Sequence, residues 1–139
     1  MSGFFTTAFR NSSLDHSFGG PDRARAANLY FAPVTTAPAA DGSGVVEAAW
    51  TGLARLQKTN NAVNFPASAN GQKLIATDLT FAELPADHVG TIDIVGLAIY
   101  EQAVGGTPIG YAPAPKTVAA LDTYFVAANT ASLEFNNAA

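Results

Sequence analysis

The sequence contains no cysteine and only two histidines. Without cysteine, disulfide bonds, thiolate catalysis and cysteine-ligated zinc are all excluded. His16 and His88 do not form the His-x-His or His-x-x-x-His spacing that is typical of metal sites. We therefore expect neither a metal ion nor another cofactor.

Charged residues are also scarce, at 13% of the chain, whereas an average soluble domain carries about 25%. Hydrophobic residues make up 48% of the chain, yet no apolar run is long enough to cross a bilayer, so no membrane partner is expected. A surface with so few charges is typical of proteins whose surface is partly covered in an assembly. The composition predicts that copies of the chain, or another protein, cover part of the surface.

The formal net charge is −4, and the seven basic residues are dispersed along the chain. They are Arg10, Arg23, Arg25, Arg55, Lys58, Lys73 and Lys116. Because they form no continuous basic stripe along a phosphate backbone, no direct nucleic-acid partner is expected. The first residues lack the apolar segment of a secretion signal, so we expect no export.

Residues 1–27 differ in pattern from the rest of the chain and predict an N-terminal arm. The stretch "NSSLDHSFGG" (11–20) predicts a short helix that a serine caps and that the glycine pair ends. The arm contains apolar side chains that need cover, either on the folded domain or on another chain. These candidate interface residues are Phe4, Phe5, Phe9, Leu14 and Phe18.

Residues 28–139 carry the pattern of an all-β domain, because apolar runs alternate with clusters of Pro, Gly, Asn and Asp. About eight strands predict a single antiparallel β-sandwich of jelly-roll type. The Pro- and Gly-rich loop 32–44 is long enough to reach a neighbouring subunit, and Val34 within it is a further candidate interface residue. The predicted strands lie near 28–32, 45–58 (bent at Gly52), 62–65, 73–81, 91–101, 108–112, 123–128 and 131–135.

The stretch "IDIVGLAIY" (92–100) changes the parity of its apolar positions. Ile92 and Ile94 occupy one parity, whereas Leu97 and Ile99 occupy the other. Since successive side chains of a strand point to opposite faces, this pattern predicts either a bulge near 94–95 or burial of both faces.

Glycines interrupt this region in two places. Gly96, inside the predicted strand, permits a bend or the close approach of another backbone. Gly105 and Gly106 predict a hairpin turn and not a phosphate-binding loop, because a strand follows where a phosphate site needs a helix. We expect the tip of this hairpin, with Gly105 and Gly106, to contact a neighbouring subunit.

Two Asp-His pairs, Asp15-His16 and Asp87-His88, are the nearest approach to a catalytic motif. Sequence neighbours usually point in different directions, and no Gly-x-Ser-x-Gly accompanies them, so solvated histidines are expected. The remaining carboxylates are dispersed; a glycosidase pair has no positive support, although its two carboxylates would meet only in the fold. We expect no enzymatic activity.

The aromatic residues leave a carbohydrate-binding module as an alternative function. A sugar-stacking platform needs exposed rings. Trp50 alternates with Ala54 and Leu56, a pattern that favours packing in the core. The candidate platform residues are Trp50, Tyr30, Tyr100, Tyr111 and Tyr124.

Several short motifs follow one another in a characteristic order: "LYFAP" (29–33), "WTGLARLQ" (50–57), "VNFPAS" (63–68) and the long stretch 92–135, which begins "IDIVGLAIYEQAVGG". This order resembles a family of small virion proteins of tailed bacteriophages. Leu121 departs from the pattern, since the family usually has a glycine before the aspartate at position 122. Family members are described as tail-fibre, minor tail or general structural proteins.

This resemblance implies a non-enzymatic structural protein of the virion, assembled in the host cytoplasm. We expect an accessory protein that decorates and stabilises the capsid as a cement protein, with a tail, collar or fibre component as the alternative. Its expected partners are copies of itself, as a trimer, and the major capsid or tail proteins. Many modest contacts of this kind would add up to a stiffer shell.

Overall fold

The computed structural model describes residues 3–135, and in this range the chain forms ten strands and one helix. The all-β class predicted from the sequence is confirmed. In chain order the elements are β1 (Gly3–Phe5), α1 (Thr7–Ser17), β2 (Asn28–Thr36), β3 (Val46–Glu47), β4 (Leu56–Thr59), β5 (Gln72–Ile75), β6 (Leu79–Thr80), β7 (Ile92–Tyr100), β8 (Gly110–Val118), β9 (Phe125–Val126) and β10 (Ala131–Glu134).

The strands form an eight-stranded sheet and a two-stranded sheet, an arrangement consistent with the predicted β-sandwich. The order of the large sheet is β3-β2-β7-β8-β1-β10-β5, and β4 pairs with β2 alongside β3. Strands β6 and β9 form the small sheet. The described pairs are antiparallel except that between β1 and β10. These two strands lie near opposite ends of the chain, so the intervening domain provides the long crossover that a parallel pair requires.

Three predicted strands are split or absent in the structure. The predicted strand 45–58 is split into β3 and β4, because the chain turns at Gly52, where φ is +89°. The predicted strand 73–81 is likewise split into β5 and β6. No strand forms at 62–65; the Asn61 side-chain oxygen accepts the backbone N–H groups of Val63 and Asn64 at 3.1 and 3.0 Å. An asparagine that bonds its own backbone in this way favours a turn over a strand.

The beginning of the predicted arm lies inside the large sheet. β1 is hydrogen-bonded to β8 on one side and to β10 on the other. Gly3 allows this insertion, since a Cβ atom there would lie 1.7 Å from the carbonyl oxygen of Tyr111. Helix α1 begins at Thr7, ahead of the predicted serine cap, and Gly19 follows its end with φ of +85°. The first part of the 1–27 segment is therefore a component of the β-domain.

The large sheet buries apolar side chains on both faces. The main core contains residues from both sheets, such as Leu97, Leu79 and Val126. The outer cluster lies on the opposite face of β2, β7 and β8 and consists of Ala32, Val34, Ala98, Tyr100 and Tyr111.

Strand β7 contributes to both clusters. Leu97 and Ile99 face the main core, whereas Ala98 and Tyr100 face the outer cluster. The pairing of β7 with β8 shifts register between Ile94 and Gly96. Both predicted features, the irregularity and the burial of both faces, are therefore present.

Gly96 lies where β8 closely approaches β7. A Cβ atom at this position would lie 2.4 Å from the carbonyl oxygen of Ala112 and 2.8 Å from the ring of Tyr111. Next to Gly96, the hydroxyl of Tyr111 donates a hydrogen bond of 3.1 Å to the carbonyl oxygen of Val95. The close approach predicted at Gly96 is confirmed.

Leu121 occupies a left-handed backbone conformation in the turn after β8, with φ of +65°. Its side chain is 60% exposed. This conformation costs a leucine roughly 1–2 kcal/mol that glycine avoids. We expect Leu121→Gly to raise the free energy of unfolding by about 0.5–1 kcal/mol, because the larger unfolded-state freedom of glycine cancels part of the gain.

Urea denaturation measures this change, with Val89→Gly as the matched control. Val89 is 92% exposed and is not among the described residues with positive φ. The control is expected to lose stability, since it gains only unfolded-state freedom. An equal loss in both variants would contradict the strain at Leu121.

Candidate functional site

A cleft of about 690 Å³ opens beside the main core. Its floor includes Phe31, Ile99 and Leu133, which are side chains of the core itself. One wall comes from the segment between β4 and β5 and from the start of β5. Among the described strands, β4 pairs with β2 and β5 with β10. The cleft therefore lies between β4, at one end of the large sheet, and β5, at the other end. A loop connects these two strands, and they do not pair with each other.

Phenylalanines form the facing wall of the cleft. The rings of Phe5 and Phe9 are stacked, with centroids 4.9 Å apart and an interplanar angle of 17°. The ring of Phe135 is tilted against that of Phe5, with centroids 5.9 Å apart. On the opposite side, the ring of Phe65 stacks on that of Phe31 at 6.1 Å. An apolar concave surface with a few polar groups at its edge is the usual form of a binding site.

The rim of the cleft carries three cationic side chains and one carboxylate: Arg23, Arg25, Lys73 and Glu101. Arg23 forms an ion pair with Glu101, and its guanidinium carbon lies 4.4 Å from the centroid of the Phe9 ring. The ammonium group of Lys73 donates a hydrogen bond of 2.7 Å to the carbonyl oxygen of Pro66. Arg25 is exposed and has no ion pair among residues 3–135. The cleft is thus locally cationic in a chain with a net charge of −4.

Arg23 also links the helix to the sheet. Its Nε donates a hydrogen bond of 3.1 Å to the hydroxyl of Ser12, and its backbone N–H donates one of 3.1 Å to Nδ1 of His16. Together with the ion pair to Glu101, these bonds hold the segment after α1 against the end of β7. Such links fix the shape of the cleft wall.

The Gly105-Gly106 pair forms the predicted turn of the β7–β8 hairpin. Both residues have positive φ, +69° and +77°. Arg55 holds this loop, because its Nη1 donates hydrogen bonds of 2.8 Å to the carbonyl oxygens of both Gln102 and Gly105. No helix follows the pair; β8 begins at Gly110. The interpretation of this loop as a turn is confirmed.

Arg55 is part of a partly buried cation–aromatic group with Tyr100 and Glu47. Its guanidinium carbon lies 3.4 Å from the centroid of the Tyr100 ring, and its Nε donates a hydrogen bond of 3.0 Å to Glu47. Burial, followed by the negative charge and hydrogen bonding of Glu47, raises the pKa of Tyr100 to about 12. Burial and Glu47 therefore favour a neutral phenol at Tyr100, whereas the charge of Arg55 acts in the opposite direction.

Within residues 3–135, neither of the two Asp-His pairs seen in the sequence forms an ion pair between its own members. Nδ1 of His16 accepts the backbone N–H of Arg23 and lies 3.5 Å from the carboxylate of Asp22, whereas no ion pair joins His16 to the preceding Asp15 in the described part of the chain. Residues 3–135 bring no three His, Asp or Glu side chains together in an arrangement that could hold a metal ion. No helix in the same range is long and apolar enough to span a membrane.

The aromatic platform proposed for carbohydrate is not exposed. Trp50 is 9% exposed, and its indole N–H donates a hydrogen bond of 3.1 Å to the carbonyl oxygen of Ala82. Tyr100, Tyr111 and Tyr124 are also buried. Tyr30 is only partly exposed. Because a sugar ring stacks on an open aromatic face, these residues do not form the platform that the sequence suggested.

The candidate interface residues fall into three environments. Phe4, Phe5 and Phe9 are partly buried against other rings. Val34 is completely buried in the outer cluster, so its side chain has no surface to offer a neighbour; it lies in β2 and not in a loop. The exposed candidates are Leu14, Phe18, Gly105 and Gly106.

Sequence reasoning missed the cleft and the two arginines, Arg23 and Arg55, that hold its wall and the hairpin. The partners of these arginines are remote in the chain: 78 residues separate Arg23 from Glu101, and 47 separate Arg55 from Gln102. No local pattern marks such pairs. The only indication in the sequence was the scarcity of charged residues, because each arginine of such a chain stands out as a candidate for a specific role.

The comparisons with known proteins agree with the resemblance seen in the motifs. Residues 4–134 match the family described as podophage GP4 fiber I protein gp80. No curated protein matches the chain. The family match spans nearly all of the described domain, including β1, the cleft and the hairpin. The chain therefore belongs to this family of phage virion structural proteins.

Proposed function

We propose that the chain is a non-enzymatic structural subunit of a podophage fibre or of its attachment to the particle. The observation that carries this proposal is the family match over residues 4–134. The role needs a rigid domain with surfaces that bind other subunits, and no chemistry. The fold supplies such a domain, because both faces of its large sheet are packed.

Exposed apolar side chains support an assembly role. Isolated apolar residues are common on protein surfaces, but a chain in which only 13% of residues are charged relies more heavily on uncharged contacts. Four of these side chains are at least 80% exposed: Phe18 (82%), Val63 (80%), Val89 (92%) and Val104 (87%). Contacts at such positions are weak singly and strong when many copies bind together.

Capsid decoration remains a second candidate. A β-domain over residues 3–135, in a chain with no internal sequence repeat, is suited to covering a shell as well as to capping a fibre. In that role the same apolar and uncharged polar surfaces would bind the major capsid protein. The two candidates differ in where the protein lies on the particle and in its copy number.

Labelling of purified virions tests both candidates. An antibody against the chain is expected to decorate the fibres or the tail in electron micrographs, with a copy number in the tens or fewer. An antibody against the major capsid protein is the positional control. Label spread evenly over the shell would support decoration in place of the fibre role, and absence of the chain from purified particles would contradict both.

A further inference from the structure

We propose that the turn at the end of α1 in one copy of the chain, with Phe18 as its anchor, occupies the cleft of a second copy. We define the Phe18 knob as residues 14–22. This proposal concerns self-association and does not depend on where the chain lies in the virion. It rests on the exposure of Phe18, on the shape of the cleft and on the charges of both.

Phe18 projects from an ordered turn. Its ring is 82% exposed, yet its backbone N–H donates a hydrogen bond of 2.9 Å to the carbonyl oxygen of Leu14. The N–H of Gly20 donates another of 2.7 Å to the carbonyl oxygen of Asp15. A ring presented by a fixed turn loses little conformational freedom on binding, which is the property of an anchor residue.

The cleft matches such an anchor in size and surface. Its volume of about 690 Å³ lies within the range of about 300–1,000 Å³ that encloses organic ligands. It therefore has room for one aromatic ring and the turn residues beside it. The Phe5, Phe9 and Phe65 rings provide apolar and aromatic contacts for the incoming ring.

The charges are complementary. The knob carries Asp15 and Asp22 on either side of Phe18, whereas the cleft rim carries Arg25 and Lys73 in addition to the ion-paired Arg23. Asp15 has no ion pair within residues 3–135. An acidic, apolar knob therefore faces a cationic, apolar cleft, and opposite charges at a rim favour the correct partner.

A second copy is the occupant because the knob is not free to enter its own cleft. The backbone N–H of Arg23 bonds to His16, and the side chain of Arg23 is fixed to Glu101. The knob is thus tied to the outside of the cleft wall. A contact between different surfaces of two copies is heterologous, so it closes into a ring or continues as a filament. We expect a closed ring, and a trimer is the size already expected from the sequence.

Disulfide trapping tests the contact, because the chain has no cysteine of its own. Ser17→Cys lies next to Phe18 in the knob, and Ser68→Cys lies in the lining of the cleft; both replacements are nearly isosteric and both serines are accessible to solvent. Equal amounts of the two single variants are mixed and oxidised. We expect a mixed disulfide dimer in at least tenfold excess over the product of Val89→Cys with Ser68→Cys.

Four further variants separate the contribution of the anchor from that of the charges. Phe18→Ala in the Ser17→Cys chain is expected to reduce trapping at least tenfold, whereas Val89→Ala in the same chain leaves it unchanged. Asp15→Lys is expected to weaken trapping, and Arg25→Glu in the partner restores it at least in part. All four positions are exposed, so thermal unfolding should confirm that each variant is folded.

Three outcomes would overturn the proposal. The first is a wild-type chain that stays monomeric in sedimentation at the trapping concentration. The second is equal trapping with Ser17→Cys and Val89→Cys. The third is protection of the cysteine in Ser68→Cys from a thiol reagent when another virion protein or a small apolar compound is added, to the same degree with and without Phe18. This result would assign the cleft to a different occupant.

Discussion

Replacing Gly96 with valine is expected to lower the free energy of unfolding by at least about 3 kcal/mol, because the new side chain overlaps backbone atoms of the central strand pair. The first added atom would already lie 2.4 Å from the carbonyl oxygen of Ala112, which has no side-chain freedom to move away. Relief requires β7 and β8 to separate, and both strands contribute to the main core. For a domain of this size we expect the melting temperature to fall by about 10 °C or more.

Thermal and urea unfolding of Gly96→Val measure this effect, with Thr91→Val as the matched control. Thr91 is exposed and directly precedes β7, so it receives the same side chain without the contact. Gly96→Ala should fall between the wild type and Gly96→Val. A loss below about 1 kcal/mol in Gly96→Val would contradict the close approach of the two strands.

This region shows how much of the fold the sequence could predict. The parity change between Ile94 and Leu97, and the glycine between them, are local signals that reflect the two faces of one strand. The glycine pair of the hairpin is also a local signal, since its positive φ values are a property of the turn itself. For these local signals the prediction was correct.

Two other features were predicted wrongly, one for a long-range reason and one for a local reason. The pairing of Gly3 with Leu133 brings together residues from the two ends of the chain, so β1 was predicted as part of an arm and not of the sheet. The segment 62–65 reads as apolar and strand-like, but the side chain of Asn61 bonds the backbone two and three residues further on and forms a turn. Propensity and alternation are weak guides wherever a side chain bonds the backbone or a distant strand completes the sheet.

The cleft is the clearest example of a site without a sequence signature. Its aromatic rings come from widely separated positions, among them Phe5, Phe65 and Phe135. Each ring alone is compatible with ordinary core packing, and only the missing strand pairing between β4 and β5 leaves them around an open space. The candidate interface residues nevertheless included Phe18, because an apolar side chain among polar neighbours is visible in the sequence.

The domain is expected to lose stability steeply as the pH rises from 10 to 12, because burial raises the pKa of three tyrosines. The pKa of Tyr100 is raised to about 12, chiefly by burial and further by Glu47. Burial also raises the pKa values of Tyr111 and Tyr124. The folded state therefore favours the neutral phenols, and their full contribution is present below pH 10, the usual pKa of a tyrosine.

The sign follows from proton linkage. As the pH rises through 10, the unfolded chain ionises its tyrosines while the folded chain does not, so the free energy of unfolding falls until the folded-state pKa is reached. For Tyr100 alone, the loss at pH 12 is about 2 kcal/mol. Tyr124 adds to it, since its hydroxyl is buried and donates a hydrogen bond of 2.7 Å to the carbonyl oxygen of Ala114.

Urea unfolding at a series of pH values, with phenolate absorbance recorded in parallel, measures this effect. Tyr100→Phe is expected to reduce the fall in stability between pH 10 and 12 by about 2 kcal/mol relative to the wild type. Tyr30→Phe removes a partly exposed phenol from a neighbouring strand and controls for the loss of one tyrosine. If Tyr100→Phe and the wild type lose stability in parallel, the phenol of Tyr100 is not held neutral by the fold.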